Sequence, residues 1–308
     1  MKILPLFLFI IIASCQNLDS EKQYHKSVIK NNGAVNVDGT ILSYEIEGEG
    51  IPCLVLPSNK AFYSQKLRKH FKLHFVNTRY TAKIYSPIPT EEYTLNTLFE
   101  DIDTLREVMD LEKFAIIGHS IHGILAYEYA KKYPKRVTHI IMIGTPCTWG
   151  TKEYEETTID FWSSAPEDRK AIYEENISKL KGIMSELKPL ELIVKSNIAE
   201  APKRWYNAKF DATRYYENMT LNFDLAAHLY GKLLSNYRMS VDATHPGIPI
   251  FLALGKSDYV VPHILWNGRY DTLSNFTIEY FDKSGHTPQL EESKLFDQKL
   301  IDWIKKNQ

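Results

Sequence analysis

Apolar residues recur along this chain in two rhythms. Short runs at Ile51 to Leu56, Phe114-Ala115-Ile116-Ile117, Val137 to Ile143 and Ile248 to Leu254 are too short for helices. They read as strands covered on both faces. Between them, apolar positions fall three and four apart; from Thr94 to Leu111 they are Leu95, Leu98, Ile102, Leu105, Val108 and Met109, the stripe of a helix with one buried face. Ala34 to Tyr44 reads as two strands around Asp38-Gly39, a hairpin-turn pair. The same patterns predict a helix over 61–71, a strand over 73–77, a helix from Ile124 to Tyr133 stopped by Pro134, a strand from Phe276 to Phe281 and a final helix from Ser293 to Lys306.

Strands alternating with helices predict an α/β fold with a mostly parallel central sheet flanked by helices, made mixed by the opening hairpin. Residues 147–246 interrupt that alternation. They keep helical spacing and carry Trp162, Tyr173, Trp205, Tyr206, Phe210, Tyr215, Tyr216 and Phe223, most of them expected to be packing residues. Ser164-Ala165-Pro166-Glu167 reads as a capping box with proline near the first helical position. The organisation expected is a core formed by 33–146 and 247–308, with a helical segment at 147–246 inserted into it.

The first residues behave differently. Lys2 is followed by an apolar run from Ile3 to Ile12 and then Ala13-Ser14-Cys15, a charged start, a hydrophobic stretch and small residues in the order of a signal peptide. The run is shorter than the roughly 20 residues that a membrane-spanning helix needs. Ile12-Ala13-Ser14-Cys15 resembles the bacterial lipobox. That resemblance implies removal of residues 1–14, acylation of Cys15, export to the bacterial cell envelope and a membrane contact through this N-terminal lipid anchor, with 15–32 as a polar tether. A plain secretory signal, in which Cys15 is incidental, is the alternative.

Composition mainly excludes. The chain has 308 residues, enough for a self-sufficient core, and a formal net charge of −1 with Lys and Arg spread along it, which argues against a nucleic-acid partner. The three cysteines, Cys15, Cys53 and Cys147, form no metal-ligand cluster. Cys53 and Cys147 are expected to be buried separately rather than joined.

Candidate chemistry gathers at strand ends. Gly118-His119-Ser120-Ile121-His122-Gly123 joins a strand to a helix, Gly255-Lys256-Ser257-Asp258 follows the strand ending at Leu254, and Gly285-His286-Thr287-Pro288-Gln289-Leu290-Glu291 follows the strand ending at Phe281. A serine hydroxyl attacks a carbonyl only when a neighbouring base takes its proton and a third group orients that base. In these motifs and their order the sequence resembles the α/β-hydrolase fold family, in particular its lidded serine hydrolases, among them proline iminopeptidases and carboxylesterases. The resemblance implies Ser120 as nucleophile, Asp258 as acid, His286 as base, oxyanion N–H donors at Ile121 and Asn59, a lid at 147–246, and no metal or organic cofactor.

Three segments depart from the family pattern. His122 stands at the usual second glycine of the serine turn, with Gly123 one place later, and is read as a packing residue; His119 is read as a supporting one. Pro57-Ser58-Asn59-Lys60 lacks the family's His-Gly. Asn77-Thr78-Arg79-Tyr80-Thr81-Ala82 keeps the arginine of an Asp-x-Arg-Gly-x-Gly segment and neither glycine. The implied activity is hydrolysis of a small acyl ester or amide. Two alternatives stay open: an aminopeptidase like the proline iminopeptidases, with lid acids such as Glu155, Glu156, Glu174 and Glu175 holding a substrate amine, and a non-catalytic ligand-binding lipoprotein on the same scaffold.

Overall fold

Asp38 and Gly39 both take positive φ, 51° and 82°, and so turn the chain between β1 (Asn32–Val37) and antiparallel β2 (Thr40–Glu47). The computed structural model describes residues 31–217, 219–240, 247–270 and 274–307; the expected signal peptide, Cys15 and nearly all of the tether lie outside them. The strands β3 (Ile51–Leu56), β4 (Phe71–Val76), β5 (Phe114–His119), β6 (Val137–Ile143), β9 (Ile250–Gly255) and β10 (Phe276–Phe281) complete an eight-stranded sheet in the order β1-β2-β4-β3-β5-β6-β9-β10. β2 runs antiparallel to β4, and every pairing from β4 to β10 is parallel. The chain reverses its direction of travel across the sheet between β3 and β5. Loops leaving those two strands diverge there, which opens a crevice at the carboxyl ends.

Alternation along each buried strand feeds two cores. Leu54 and Leu56 of β3, Ile116 of β5, Ile140 and Met142 of β6 and Leu252 of β9 pack on one face with α1 (Leu95–Val108) and α2 (Ile121–Lys132). Cys53, Val55, Ile117, Ile141, Ile143 and Phe251 point the other way, against Phe296, Leu300 and Trp303 of α9 (Ser293–Lys306). Helix α1 starts where Thr94 accepts the Thr97 N–H at 3.1 Å.

Between β6 and β9 run α3 (Lys152–Ser163), α4 (Glu167–Ile183), α5 (Pro189–Ala199), α6 (Ala201–Arg204) and α7 (Phe223–His228), the last followed by a π-turn over Leu229–Leu233. Two-residue strands β7 (Thr148–Trp149) and β8 (Tyr237–Arg238) pair antiparallel and tie together the base of this insertion. The short helix α8 (Pro288–Glu291) precedes α9.

Two local expectations are corrected. Residues 61–71 form two 3₁₀ turns, Lys60–Phe62 and Leu67–Lys69, rather than one helix. The Arg68 guanidinium donates to the carbonyls of Lys60 and Ser64, each at 3.0 Å, and of Tyr63, acceptors that a continuous helix would use in its own ladder. Ser164 does not open α4; its hydroxyl donates back to Phe161 O at 2.7 Å, closing α3, and Pro166 sits at the N-cap of α4 instead of inside its first turn. Cys53 and Cys147 are buried free thiols. Among the described residues no helix is long and apolar enough to cross a membrane, and no group of three His, Cys, Asp or Glu could hold a metal.

Candidate active site

One residue separates β5 from α2, and it is Ser120, held at φ 57° and ψ −131°. A side-chain-bearing residue adopts such a backbone at a cost of about 1–3 kcal/mol. Its N–H donates to Ile143 O at 2.7 Å, pinning the turn to the neighbouring strand. The bend is so tight that a Cβ on Gly118 would lie 2.2 Å from the His122 carbonyl oxygen. The second close approach falls on Gly123, where a Cβ would lie 1.9 Å from Thr145 Oγ1. Position 122 therefore has room for an imidazole.

Asp258 and His286 follow adjacent parallel strands, β9 and β10. Their loops are tied together by the Ser257 N–H, which donates to Ser284 O at 2.9 Å. Asp258 is fully buried; its Oδ1 accepts the N–H groups of Val260 and Val261 at 2.9 and 2.8 Å, and its Oδ2 lies 2.7 Å from His286 Nδ1. A carboxylate only accepts, so Nδ1 carries the hydrogen and Nε2 of the neutral imidazole keeps its lone pair. Ser120 and His286 both line a cavity of about 810 Å³. The Ser120 hydroxyl makes no hydrogen bond among the described residues, so the closed link of this arrangement is the one between His286 and Asp258.

Supporting contacts surround the imidazole. His119 Nε2 lies 2.8 Å from the His286 carbonyl oxygen, and burial, with His286 beside it, holds its pKa well below the usual histidine range. The neutral ring is thus a donor that steadies the loop. The insertion docks here through backbone: Arg204 O accepts the His286 N–H at 2.6 Å, and Lys203 O accepts the Tyr259 N–H at 2.9 Å. Glu291 also fixes the His286 loop, through the N–H groups of Gly285 and Thr287. It stands in the quoted histidine motif, and sequence reasoning assigned it nothing.

A family model for the alpha/beta hydrolase fold matches residues 62–293. The chain belongs to the α/β-hydrolase family. A relative in Bacillus subtilis (strain 168), the AB hydrolase superfamily protein YclE, is 29% identical over 276 residues, covering 88% of this chain and 98% of its own. An alpha/beta fold family hydrolase from Bacillus anthracis str. Sterne superposes with a TM-score of 0.67 at 21% identity, covering 88% of this chain and 98% of that one. A thermophilic esterase from Thermogutta terrifontis gives a TM-score of 0.64 at 18% identity, over 89% and 99% of the two chains.

In this α/β-hydrolase the first helical N–H after the serine, that of Ile121, has no acceptor among the described residues, as expected for the open end of a helix. The pairing of Leu56 with Gly118 sets 57–59 beside the serine turn. There the Asn59 N–H donates to Pro57 O at 2.8 Å, while the Ser58 N–H, one residue earlier, has no acceptor among the described residues. The Asn59 side chain is also engaged, with Tyr215 O at 3.2 Å and the Ala61 N–H at 3.3 Å. Arg79, kept from the family segment, sets its Nε 2.9 and 3.0 Å from the two oxygens of buried Asp101 on α1, anchoring the loop after β4.

Proposed function

We propose that this α/β-hydrolase is a serine hydrolase that cleaves a small acyl ester or amide through an acyl-enzyme. The observation carrying the proposal is a strained, cavity-lining Ser120 that shares its cavity with an imidazole held by a buried carboxylate. In the reaction proposed, His286 Nε2 takes the Ser120 proton as the hydroxyl attacks the carbonyl carbon. The Ile121 N–H receives the developing oxyanion, with the Ser58 N–H as second backbone donor in place of the Asn59 N–H, which Pro57 O takes. Asp258 stabilises the imidazolium, which then returns the proton to the departing alcohol or amine. Water, deprotonated by the same nitrogen, attacks the acyl-enzyme and frees the acid. The insertion over the cavity acts as the lid.

Charge on the cavity wall argues against the aminopeptidase alternative. Glu155, Glu156, Glu174 and Glu175 are solvent-exposed, and none of them lines the cavity. The lining instead includes Lys60, Lys83, Arg204 and Arg214; Lys60 is bridged to Glu45, the acid among them, at 2.6 Å and Arg204 to Glu200 at 2.8 Å, which leaves Lys83 and Arg214 with no carboxylate partner among the described residues. A substrate ammonium would meet like charge there. Against a non-catalytic binder stands the backbone strain at Ser120, which brings no return to a protein that needs no exposed nucleophile.

A fluorophosphonate probe, followed by chromogenic esters and aminoacyl anilides, tests the reading on the mature protein. The wild type should be labelled, Ser120→Ala should not, and its turnover should fall by about 10⁴-fold or more. Labelling that survives in Ser120→Ala, or none in the wild type, sinks it. The lipid anchor at Cys15 belongs to the same proposal: globomycin should block processing in bacterial cells, and insensitive maturation removes the anchor.

A further inference from the structure

Tyr80 and His122 are two separate departures from the family pattern, each standing where a glycine is usual, and the fold brings them together. The Tyr80 hydroxyl is hydrogen-bonded to His122 Nε2, with the two rings stacked at 25° and 5.9 Å between centroids. Neither residue could make this contact without the other, so the two departures are one feature. Tyr230, from the π-turn of the insertion, stands edge-on to Tyr80 at 6.4 Å, its hydroxyl interacting with that of Tyr80. All three side chains line the cavity that Ser120 lines.

Proton directions in this group follow from its inner end. His122 Nδ1 lies 3.1 Å from the His119 carbonyl oxygen, which can only accept, so Nδ1 carries hydrogen. Burial pushes the His122 pKa down to about 4, so the ring is neutral at physiological pH and Nε2 bears a lone pair. The Tyr80 hydroxyl must donate to that lone pair. Its oxygen can then only accept, and the hydroxyls of Thr78 and Tyr230 both interact with it; a Tyr230 hydroxyl that donates to Tyr80 turns an oxygen with acceptor capacity alone toward the cavity. Burial raises both phenols above their usual range, which keeps them protonated and the wall uncharged.

We infer that Tyr80, Tyr230 and His122 form a hydrogen-bond-accepting subsite beside the nucleophile, selecting substrates that carry a hydroxyl or amide N–H near the scissile carbonyl. The inference rests on the hydrolase reading and narrows its substrate class. An alkyl group pressed on this wall would leave acceptors without donors, whereas a hydroxyl or N–H satisfies them. An ammonium, the other strong donor, is disfavoured by the cationic residues on the same cavity.

Matched 4-nitrophenyl esters of 3-hydroxybutyrate and butyrate, and matched 2-hydroxyethyl and ethyl esters, provide the test. In the wild type kcat/KM should favour the hydroxyl-bearing member of at least one pair by about tenfold, the worth of one hydrogen bond to a neutral partner. Tyr230→Phe and Tyr80→Phe should each bring that ratio close to one, whatever they do to the absolute rates. Equal rates for both members of both pairs in the wild type, or a ratio unmoved in both variants, overturns the subsite. Ser120→Ala separates the two claims, because calorimetry on this variant reads binding of the same esters without turnover. Tighter binding of a hydroxyl member there, with no fluorophosphonate labelling of the wild type, would retain the subsite and reject the hydrolase. Equal binding beside normal labelling and indifferent rates would do the reverse.

Discussion

The Glu291 carboxylate accepts three backbone N–H groups from two parts of the chain. Oε1 takes those of Gly285 and Thr287, at 2.9 and 3.2 Å, on either side of His286, and Oε2 takes that of Tyr206 in the insertion, at 2.7 Å. Burial pushes its pKa up to about 7 even against those donors. A glutamine has a single accepting oxygen and must choose between the two groups. In Glu291→Gln the oxygen is expected to stay with Gly285 and Thr287, which leaves its NH₂ facing the Tyr206 N–H. Tyr206 is 45% exposed, so water takes up the released N–H and the loss appears as local opening there. Amide hydrogen exchange should therefore quicken at Tyr206 and remain slow at Gly285 and Thr287, while Glu291→Ala quickens all three. Unchanged exchange at Tyr206 in the glutamine variant would mean that this carboxylate does not hold the insertion to the histidine loop.

At the scale of elements, legibility followed periodicity. β3, β6, β10 and α9 occupy the spans that the apolar patterns predict, because a strand buried on both faces or a helix with one buried stripe writes its environment into successive residues. The stretch from 61 to 71 has helical spacing too, yet a single arginine, Arg68, captures the carbonyls that the helix needs. No local pattern announces a long-range claim of that kind. β7 and β8 were illegible for a different reason, since two residues carry no period. Within the site, the three motifs were visible because each follows a strand, and the structure joins Asp258 to His286 by a hydrogen bond. Tyr80 and His122 were visible only as departures. Their contact spans 42 positions and depends on the register of β3 with β4 and β5, which sequence spacing does not encode. The reading of His122 as packing was half of the story, since its ring is half-buried on the cavity wall and bonded at both nitrogens.

For the molecule as a whole, buried titratable groups pull stability in opposite directions as pH changes. Burial drives His74 and His122 down to about 4 and His119 well below the usual value of 6.5. The native state then binds fewer protons than the unfolded chain, so stability present at pH 7 is lost as pH falls from 6.5 toward 4. Asp101 and Glu291 act in the other sense. Burial raises both to about 7, Asp101 despite Arg79 beside it, so the native state takes up their protons first and loses stability as pH rises from about 4.5 through 7. Burial also lowers His139 and His263 and raises Asp297, so depressed histidines outnumber raised carboxyls and the unfolded chain binds more protons near pH 5, an excess that shrinks toward pH 6.5 as the unfolded histidines lose their own protons. The unfolding free energy should accordingly rise with pH from pH 5, by about 1.4 kcal/mol per unit for each net proton, and flatten toward pH 6.5. Glu291→Gln removes one of the opposing carboxyls, so its slope should be steeper by nearly one further proton, about 1.4 kcal/mol per unit at most. Urea denaturation of the wild type and this variant at pH 5, 5.5, 6 and 6.5 measures both slopes. A wild type that weakens as pH rises across this range, or a variant whose slope matches the wild type, would show that these buried groups do not titrate in the opposed senses argued from their burial.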